Sequence, residues 1–263
     1  MTYRTEGVAI VVGAGEGIGR ACALRLAEGG ADVVVAARRE APLRALAESL
    51  AAETGRRVLP IPMDLARVEQ CTGLVERAVE ELGRVDSVVN VATAGSARAP
   101  VEKSDWDDWR QAFEVNVVGT LEVSRAAARR MKEQGGGGSI VQIGSIGLQA
   151  LRRSLGSYTS TKSAMIVASR TLAREMGPHG VRVNVVTPGY VTGPPLTANF
   201  QALADRTGQE LDAVVRQAAS TAALRRHVDP EDIAAVVQFL CSDAARNVTG
   251  VEIPVDAGQI LGG

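Results

Sequence analysis

The chain has 263 residues, 46% of them hydrophobic and 22% charged, with a formal net charge of −1. That length and balance suit a folded domain with a core of its own and exclude a disordered tail or a scaffold that needs covalent staples. The near-neutral charge, with basic residues scattered in short groups, leaves no surface suited to nucleic acid or an anionic membrane, and no apolar run approaches the ~18 residues that cross a bilayer.

The amino terminus, MTYRTEGVAIVVGAG, has no basic stretch leading into a long apolar segment. The expectation is therefore a chain without a signal peptide, resident in the cytoplasm. Its three cysteines, Cys22, Cys71 and Cys241, are far apart, and the only histidines are His179 and His227. This argues against a zinc site or a disulfide framework and reads the thiols as small buried hydrophobes.

From there strand-like and helix-like segments alternate. VAIVV (8–12), DVVVAA (32–37), RVLPIP (57–62), VDSVVNVA (85–92), SIVQIG (139–144), VRVNVV (181–186) and VEIPV (251–255) are short apolar runs without polar alternation. Such runs suit strands buried on both faces of a parallel sheet. Between them, Ile18, Ala21, Cys22 and Arg25 step round one helix that stops at Gly29-Gly30. Leu43, Leu46 and Leu50 mark the next. Ser104 is a candidate cap for a helix beginning DWDDW, GGGG at 135–138 reads as a helix stop and turn, and Pro230 opens a late helix. The pattern predicts an α/β fold: one doubly wound parallel sheet of about seven strands with helices on both faces, spanning 1–263 as a single domain. The polar, helix-prone stretch 193–229 interrupts the alternation and reads as a flap covering a site.

The first strand runs into GAGEGIGRA, with Gly13, Gly17 and Gly19 spaced G-x-x-x-G-x-G. A strand that turns sharply into a helix, with no side chains at the turn, lets a pyrophosphate approach the backbone and meet the helix N-terminus. After the second strand stand Arg38 and Arg39, with Ala37 at the strand end where an acidic residue would hold both ribose hydroxyls of NAD. A guanidinium there suits a 2′-phosphate, so NADP(H) is favoured over NAD(H); Glu16 in the glycine turn argues the other way.

In YTSTKSAMIVASRTLAREM, Tyr158 and Lys162 lie one helical turn apart. A lysine beside a phenol, with the positive nicotinamide ring added, would lower its pKa from about 10 and make it a usable proton donor and acceptor. By spacing alone the pair is equally a surface coincidence. Ser145, thirteen residues earlier, follows a strand end, the edge at which α/β sheets bind ligands.

Together these residues resemble the active-site signature of the short-chain dehydrogenase/reductase family, Ser-x(12)-Tyr-x(3)-Lys. NVVGT (116–120) resembles its N-V-x-G, and RVNVVTPGYVT (182–192) its R-V-N-x-x-x-P-G. The glycine turn matches apart from Val12, where the family usually has Thr. The resemblance runs from about residue 7 to 258 and implies a one-domain Rossmann-type fold, dimeric or tetrameric, that moves a hydride between a nicotinamide and an alcohol or ketone substrate. It implies a catalytic tetrad of Asn116, Ser145, Tyr158 and Lys162. Asn116 anchors a relay water, Ser145 orients the substrate oxygen, Tyr158 is the acid and base, and Lys162 lowers its pKa and holds the nicotinamide ribose. It assigns to the cofactor Gly13, Gly15, Glu16, Gly17, Ile18, Gly19, Arg38, Arg39, Asp64, Leu65, Asn90, Val91, Ala92, Tyr158, Lys162, Pro188, Gly189, Val191 and Thr192. Asp64 would contact the adenine amino group and Thr192 the nicotinamide amide. No metal is implied.

Where the family reads N-N-A-G, this chain reads NVATAG: Val91 replaces the second Asn, Thr93 stands at the Gly, and a glycine follows at Gly95. That change is the one feature supporting a non-catalytic nucleotide-binding regulator with the same fold. An enoyl reductase or a sugar epimerase is a further alternative, disfavoured by the Tyr–Lys spacing and by the chain length respectively. Arg152 and Arg153 read as surface residues near the site mouth, Trp106 and Trp109 as packing anchors, and Tyr190 as a possible substrate contact. The apolar IGLQAL (146–151) suggests a hydrophobic pocket for a cyclic or acyl ketone or a secondary alcohol.

Overall fold

In the computed structural model, which describes residues 3–94, 98–149, 151 and 153–262, the first strand sets the logic of the architecture. All five residues of β1 (Val8–Val12) are buried. Successive side chains of a strand point to opposite faces. Ala9 and Val11 accordingly enter one apolar layer, and Val8, Ile10 and Val12 the other. Helices α1 (Ile18–Glu28), α2 (Glu40–Thr54) and α9 (Pro230–Cys241) pack on the first face; α3 (Val68–Leu82) and α5 (Thr120–Gln134) pack on the second.

The remaining strands are β2 (Asp32–Ala37), β3 (Val58–Pro62), β4 (Ser87–Asn90), β5 (Gly138–Ile143), β6 (Val181–Pro188) and β7 (Glu252–Val255), with α4 (Trp106–Phe113), α6 (Gly156–Met176), α7 (Pro194–Thr207) and α8 (Leu211–Ser220) between them. The seven strands form one parallel sheet in the order β3-β2-β1-β4-β5-β6-β7. Strand order reverses at the β1–β4 junction, which opens a crevice at the carboxyl ends of the strands. Val12 pairs with both Ala36 and Asn90, so the glycine turn and the loop after β4 leave the sheet side by side.

Local chemistry accounts for the helix ends. At Gly135 the chain turns to φ 71°, and two more left-handed glycines follow before β5, so GGGG is a stop and turn. Asp229 and Asp232 form a capping box ahead of α9, with Pro230 in its first turn. The Ser104 cap is corrected. Helix α4 starts at Trp106, so Asp105 is its cap and accepts from the Asp107 N–H at 2.9 Å. The Ser104 hydroxyl instead donates to the Pro100 carbonyl at 3.1 Å.

Between α4 and α5 the backbone widens into a π-helical turn, Glu114–Gly119. An added Cβ at Gly119 would lie 2.0 Å from the Leu65 carbonyl oxygen, so this glycine lets the turn sit directly on the loop after β3. The segment 193–229 forms α7 and α8 around a small cluster of Phe200, Ala204 and Val214, joined to the body by a bridge from Val191 to Val228. Among the described residues no helix is long and apolar enough to cross a membrane.

Candidate active site

Gly13 sits at φ 86°, and a Cβ there would lie 2.4 Å from the Ala92 nitrogen; β1 and β4 leave the sheet too close together for any side chain. Gly19 is equally confined, its Cβ position 2.2 Å from the Gly13 carbonyl oxygen, which draws α1 against the turn. Gly15 and Gly17, in contrast, would project a Cβ into open space. They leave a bare concavity at the start of α1, beside Glu16 and Ile18, where the first N–H groups of the helix point outward. This is the shape a pyrophosphate requires, and the residues present fit a dinucleotide.

Arg38 and Arg39 follow β2 on the surface, and among the described residues neither side chain has an ion-pair or hydrogen-bond partner. Asp64 is half-buried and accepts from the Ala66 N–H at 3.0 Å; Leu65 beside it is buried. The Val91 and Ala92 N–H groups both donate to the Val12 carbonyl, at 2.8 and 3.0 Å, and the Val91 side chain packs on the core. The Asn90 side chain turns below the crevice, donating to Ser124 of α5 at 3.0 Å. At the far side Pro188 ends β6, Gly189 runs tightly past Asp256, and Val191 bridges to Val228. The Thr192 hydroxyl donates to Asp229 at 2.5 Å.

Ser145 emerges just beyond β5 and caps a short 3-10 turn, its hydroxyl accepting from the Gly147 N–H at 3.1 Å. Its hydroxyl also lies close enough to the Tyr158 phenol to favour the phenolate. Helix α6 begins two residues before Tyr158, which puts Tyr158 in its first turn. Lys162, one turn on, is 4% exposed, and its ammonium donates to the Ile143 carbonyl at 2.8 Å.

Burial pushes the Tyr158 phenol above its ordinary value, opposed only by the Ser145 hydrogen bond. Burial also pushes Lys162 down to about 8. In the protein alone desolvation dominates at both groups, and the ammonium is directed at the β5 backbone.

Asn116 is almost wholly buried in the π turn. Its Oδ1 accepts from the Thr93 hydroxyl at 3.0 Å and the Ala94 N–H at 2.7 Å. Its Nδ2 donates to the Thr161 hydroxyl at 3.1 Å and, over a longer 3.4 Å, to the Ala94 carbonyl. An amide has two donors and two acceptor sites, and all four are used. The side chain therefore has no donor or acceptor site left for a further partner.

The profile of a protein family described as enoyl-(acyl carrier protein) reductase matches residues 13–259. A short-chain dehydrogenase/reductase of Aspergillus oryzae, astE, is 38% identical over 254 residues, 97% of this chain and 95% of that one. The chain belongs to the short-chain dehydrogenase/reductase family. The family is one of oxidoreductases. An L-sorbose reductase from Gluconobacter frateurii, solved with NADPH and L-sorbose, superposes with a TM-score of 0.92 at 31% identity over 99% of both chains. A carveol dehydrogenase from Mycobacterium avium, solved with NAD, gives 0.89 at 32% identity over 99% of this chain and all of that one.

Tyr190 is packed edge-on to Phe200 and His227, with ring centroids 5.7 and 6.1 Å away, so its ring fastens the α7–α8 segment to the end of β6. Leu148 of IGLQAL packs against Met165, Ile166 and Val185 and, with exposed Leu151, lines a surface pocket along α6. Trp106 and Trp109 pack on one another at 5.7 Å, and His179 lies in a 3-10 turn. Cys22 and Cys71 are buried, and burial raises all three thiols, Cys241 to about 11. Among the described residues no cluster of His, Cys, Asp and Glu could hold a metal ion. Arg153 is exposed; Arg152 and Gly95 lie outside the described residues. Two participants escaped the sequence reading. Thr161 is hidden among the hydroxyls of YTSTK, and Thr93 registered only as a departure from the family motif.

Proposed function

We propose that this chain interconverts a ketone and a secondary alcohol with NADP(H), using Tyr158 as general acid and base. The observation that carries the reading is the placement of Ser145 at the carboxyl end of β5 beside Tyr158 in the first turn of α6, with Lys162 buried one turn along the same helix. Two hydroxyls so paired can hold one substrate oxygen, Ser145 by donating a hydrogen bond and Tyr158 by exchanging a proton with it. The bare turn at Gly13, Gly15, Gly17 and Gly19 takes the pyrophosphate, and Asp64 with Leu65 the adenine side. The Thr192 hydroxyl, its proton committed to Asp229, keeps lone pairs that can accept from a carboxamide. The bound nicotinamide supplies or accepts the hydride, and its positive oxidised ring adds the phenolate stabilisation that the protein alone lacks. Unpaired Arg38 and Arg39 favour the 2′-phosphate, although relatives are solved with either cofactor. The segment 193–229 serves as the substrate-covering flap of a single-domain enzyme. Exposed Trp106 and Val167 support a homodimer or homotetramer.

Fluorescence titration with NADPH and with NADH, beside turnover of a ketone panel by wild type and Tyr158→Phe, tests the reading. The expected result is preferential NADPH binding, with the variant inactive but still binding cofactor. Near-normal turnover by Tyr158→Phe would falsify the mechanism. Cofactor binding without any turnover would return the regulator alternative. The description of the matching family profile favours one second reading, reduction of an enoyl thioester. Turnover of a crotonyl thioester in place of ketones would select it.

A further inference from the structure

We infer that Thr93 is a positioning residue, which sets the catalytic turn of α6 through Asn116 and Thr161. The inference rests on the assignment of Tyr158 and Lys162 as the proton-transfer pair. The contact chain is directional. Thr93 Oγ1 donates to Asn116 Oδ1 at 3.0 Å, Asn116 Nδ2 donates to Thr161 Oγ1 at 3.1 Å, and Thr161 Oγ1 donates to the Tyr158 carbonyl at 2.9 Å. The amide fixes the direction at its two links, since Oδ1 only accepts and Nδ2 only donates; the Ala94 carbonyl, at 3.4 Å, is a longer second acceptor for the Thr93 proton. Asn116 and Thr161 are each 1% exposed, where an unmade hydrogen bond is not replaced by water. The chain joins three segments: the loop after β4, which the Ala94 backbone also ties to Asn116, the π turn, and the start of α6.

Thr93 is the only member at the surface, and its hydroxyl is what the family's usual glycine lacks. The Ala94 N–H fixes one lone pair of Asn116 Oδ1; Thr93 occupies the other. Without it the amide loses the contact that holds it square to Thr161. Thr161 precedes Lys162 and bonds the Tyr158 backbone, so a shift there reaches both reacting side chains. Thr93 itself touches neither.

The test compares wild type with Thr93→Val, which removes the hydroxyl at nearly constant shape, and Thr93→Ser, which restores it. Because Thr93 is exposed, both variants are expected to fold. Steady-state reduction of 2,3-butanedione by NADPH should give about fivefold lower kcat for Thr93→Val, the rate equivalent of one neutral hydrogen bond, with KM changed less than twofold. Thr93→Ser should recover most of the loss. In the cofactor-free proteins, hydrogen exchange at amides 159–163 should be faster in Thr93→Val and normal in Thr93→Ser. This second readout needs no turnover. Unchanged kcat and unchanged exchange in Thr93→Val, with Tyr158→Phe inactive, would overturn the role of Thr93 and leave the active-site assignment standing. Full activity of Tyr158→Phe would instead remove the assignment on which the inference rests.

Discussion

Lys162 should cost this protein stability at neutral pH, and replacing it with methionine should strengthen the cofactor-free fold. The lysine is almost wholly buried, and burial lowers its pKa from 10.5 to about 8. At about 1.4 kcal/mol per tenfold change in proton affinity, that is a penalty of about 3 kcal/mol on the charged form. Methionine fills a similar volume without charge but loses the hydrogen bond to the Ile143 carbonyl, worth about 1 kcal/mol. The net expectation is a gain of about 2 kcal/mol at about pH 7, or about 4 °C or more in Tm for a chain of this size. The pH dependence follows from the sign. Between the folded value of about 8 and the unfolded 10.5, the unfolded chain binds more protons than the folded one, so wild-type stability rises with pH in that window. The penalty is complete below the folded pKa and relieved as the lysine is neutralised, so the advantage of Lys162→Met should shrink to under about 1 kcal/mol at about pH 9.5. Urea unfolding of both cofactor-free proteins at the two pH values measures this. A variant less stable than wild type at neutral pH, or a gain that does not change with pH, would refute the argument from burial.

Three further outcomes are expected. Gly13→Ala must hold a side chain at φ 86° with its Cβ 2.4 Å from a backbone nitrogen, so it should lose at least about 2 kcal/mol of stability; a loss under about 0.5 kcal/mol in urea unfolding would contradict the close approach of β1 and β4. Arg38→Glu should weaken NADPH binding by at least about tenfold while sparing NADH, and an equal loss for both would place Arg38 outside the phosphate site. The tyrosinate absorbance of wild type minus Tyr158→Phe, both cofactor-free, should titrate above the ordinary phenol value of about 10; a midpoint below it would show that the protein alone activates the tyrosine.

Much of the fold was legible because its signals are local. A run such as VAIVV, apolar at every position, has no polar face to expose, and only a sheet covered on both sides accommodates it. Glycines at a strand end announce a turn for the same reason, since the need for a missing side chain is written at the residue itself. Helix boundaries were less exact. Asp105 displaced Ser104 as the cap because one residue's shift in where the helix starts changes which side chain reaches its free N–H groups.

By itself, then, the sequence determined the parallel sheet, the glycine turn and the candidate tetrad, which depend on residue type and on spacing along the chain. Only the tertiary structure decided that the Asn116 amide is fully occupied, that Tyr190 packs on Phe200 and His227, and that Thr93 is hydrogen-bonded to Asn116. It also decided that burial raises the Tyr158 phenol and depresses Lys162. These properties depend on what surrounds a side chain in space. Thr93 and Asn116 stand 23 positions apart and Asn116 and Thr161 a further 45, and no local pattern relates them until the strands and helices are packed.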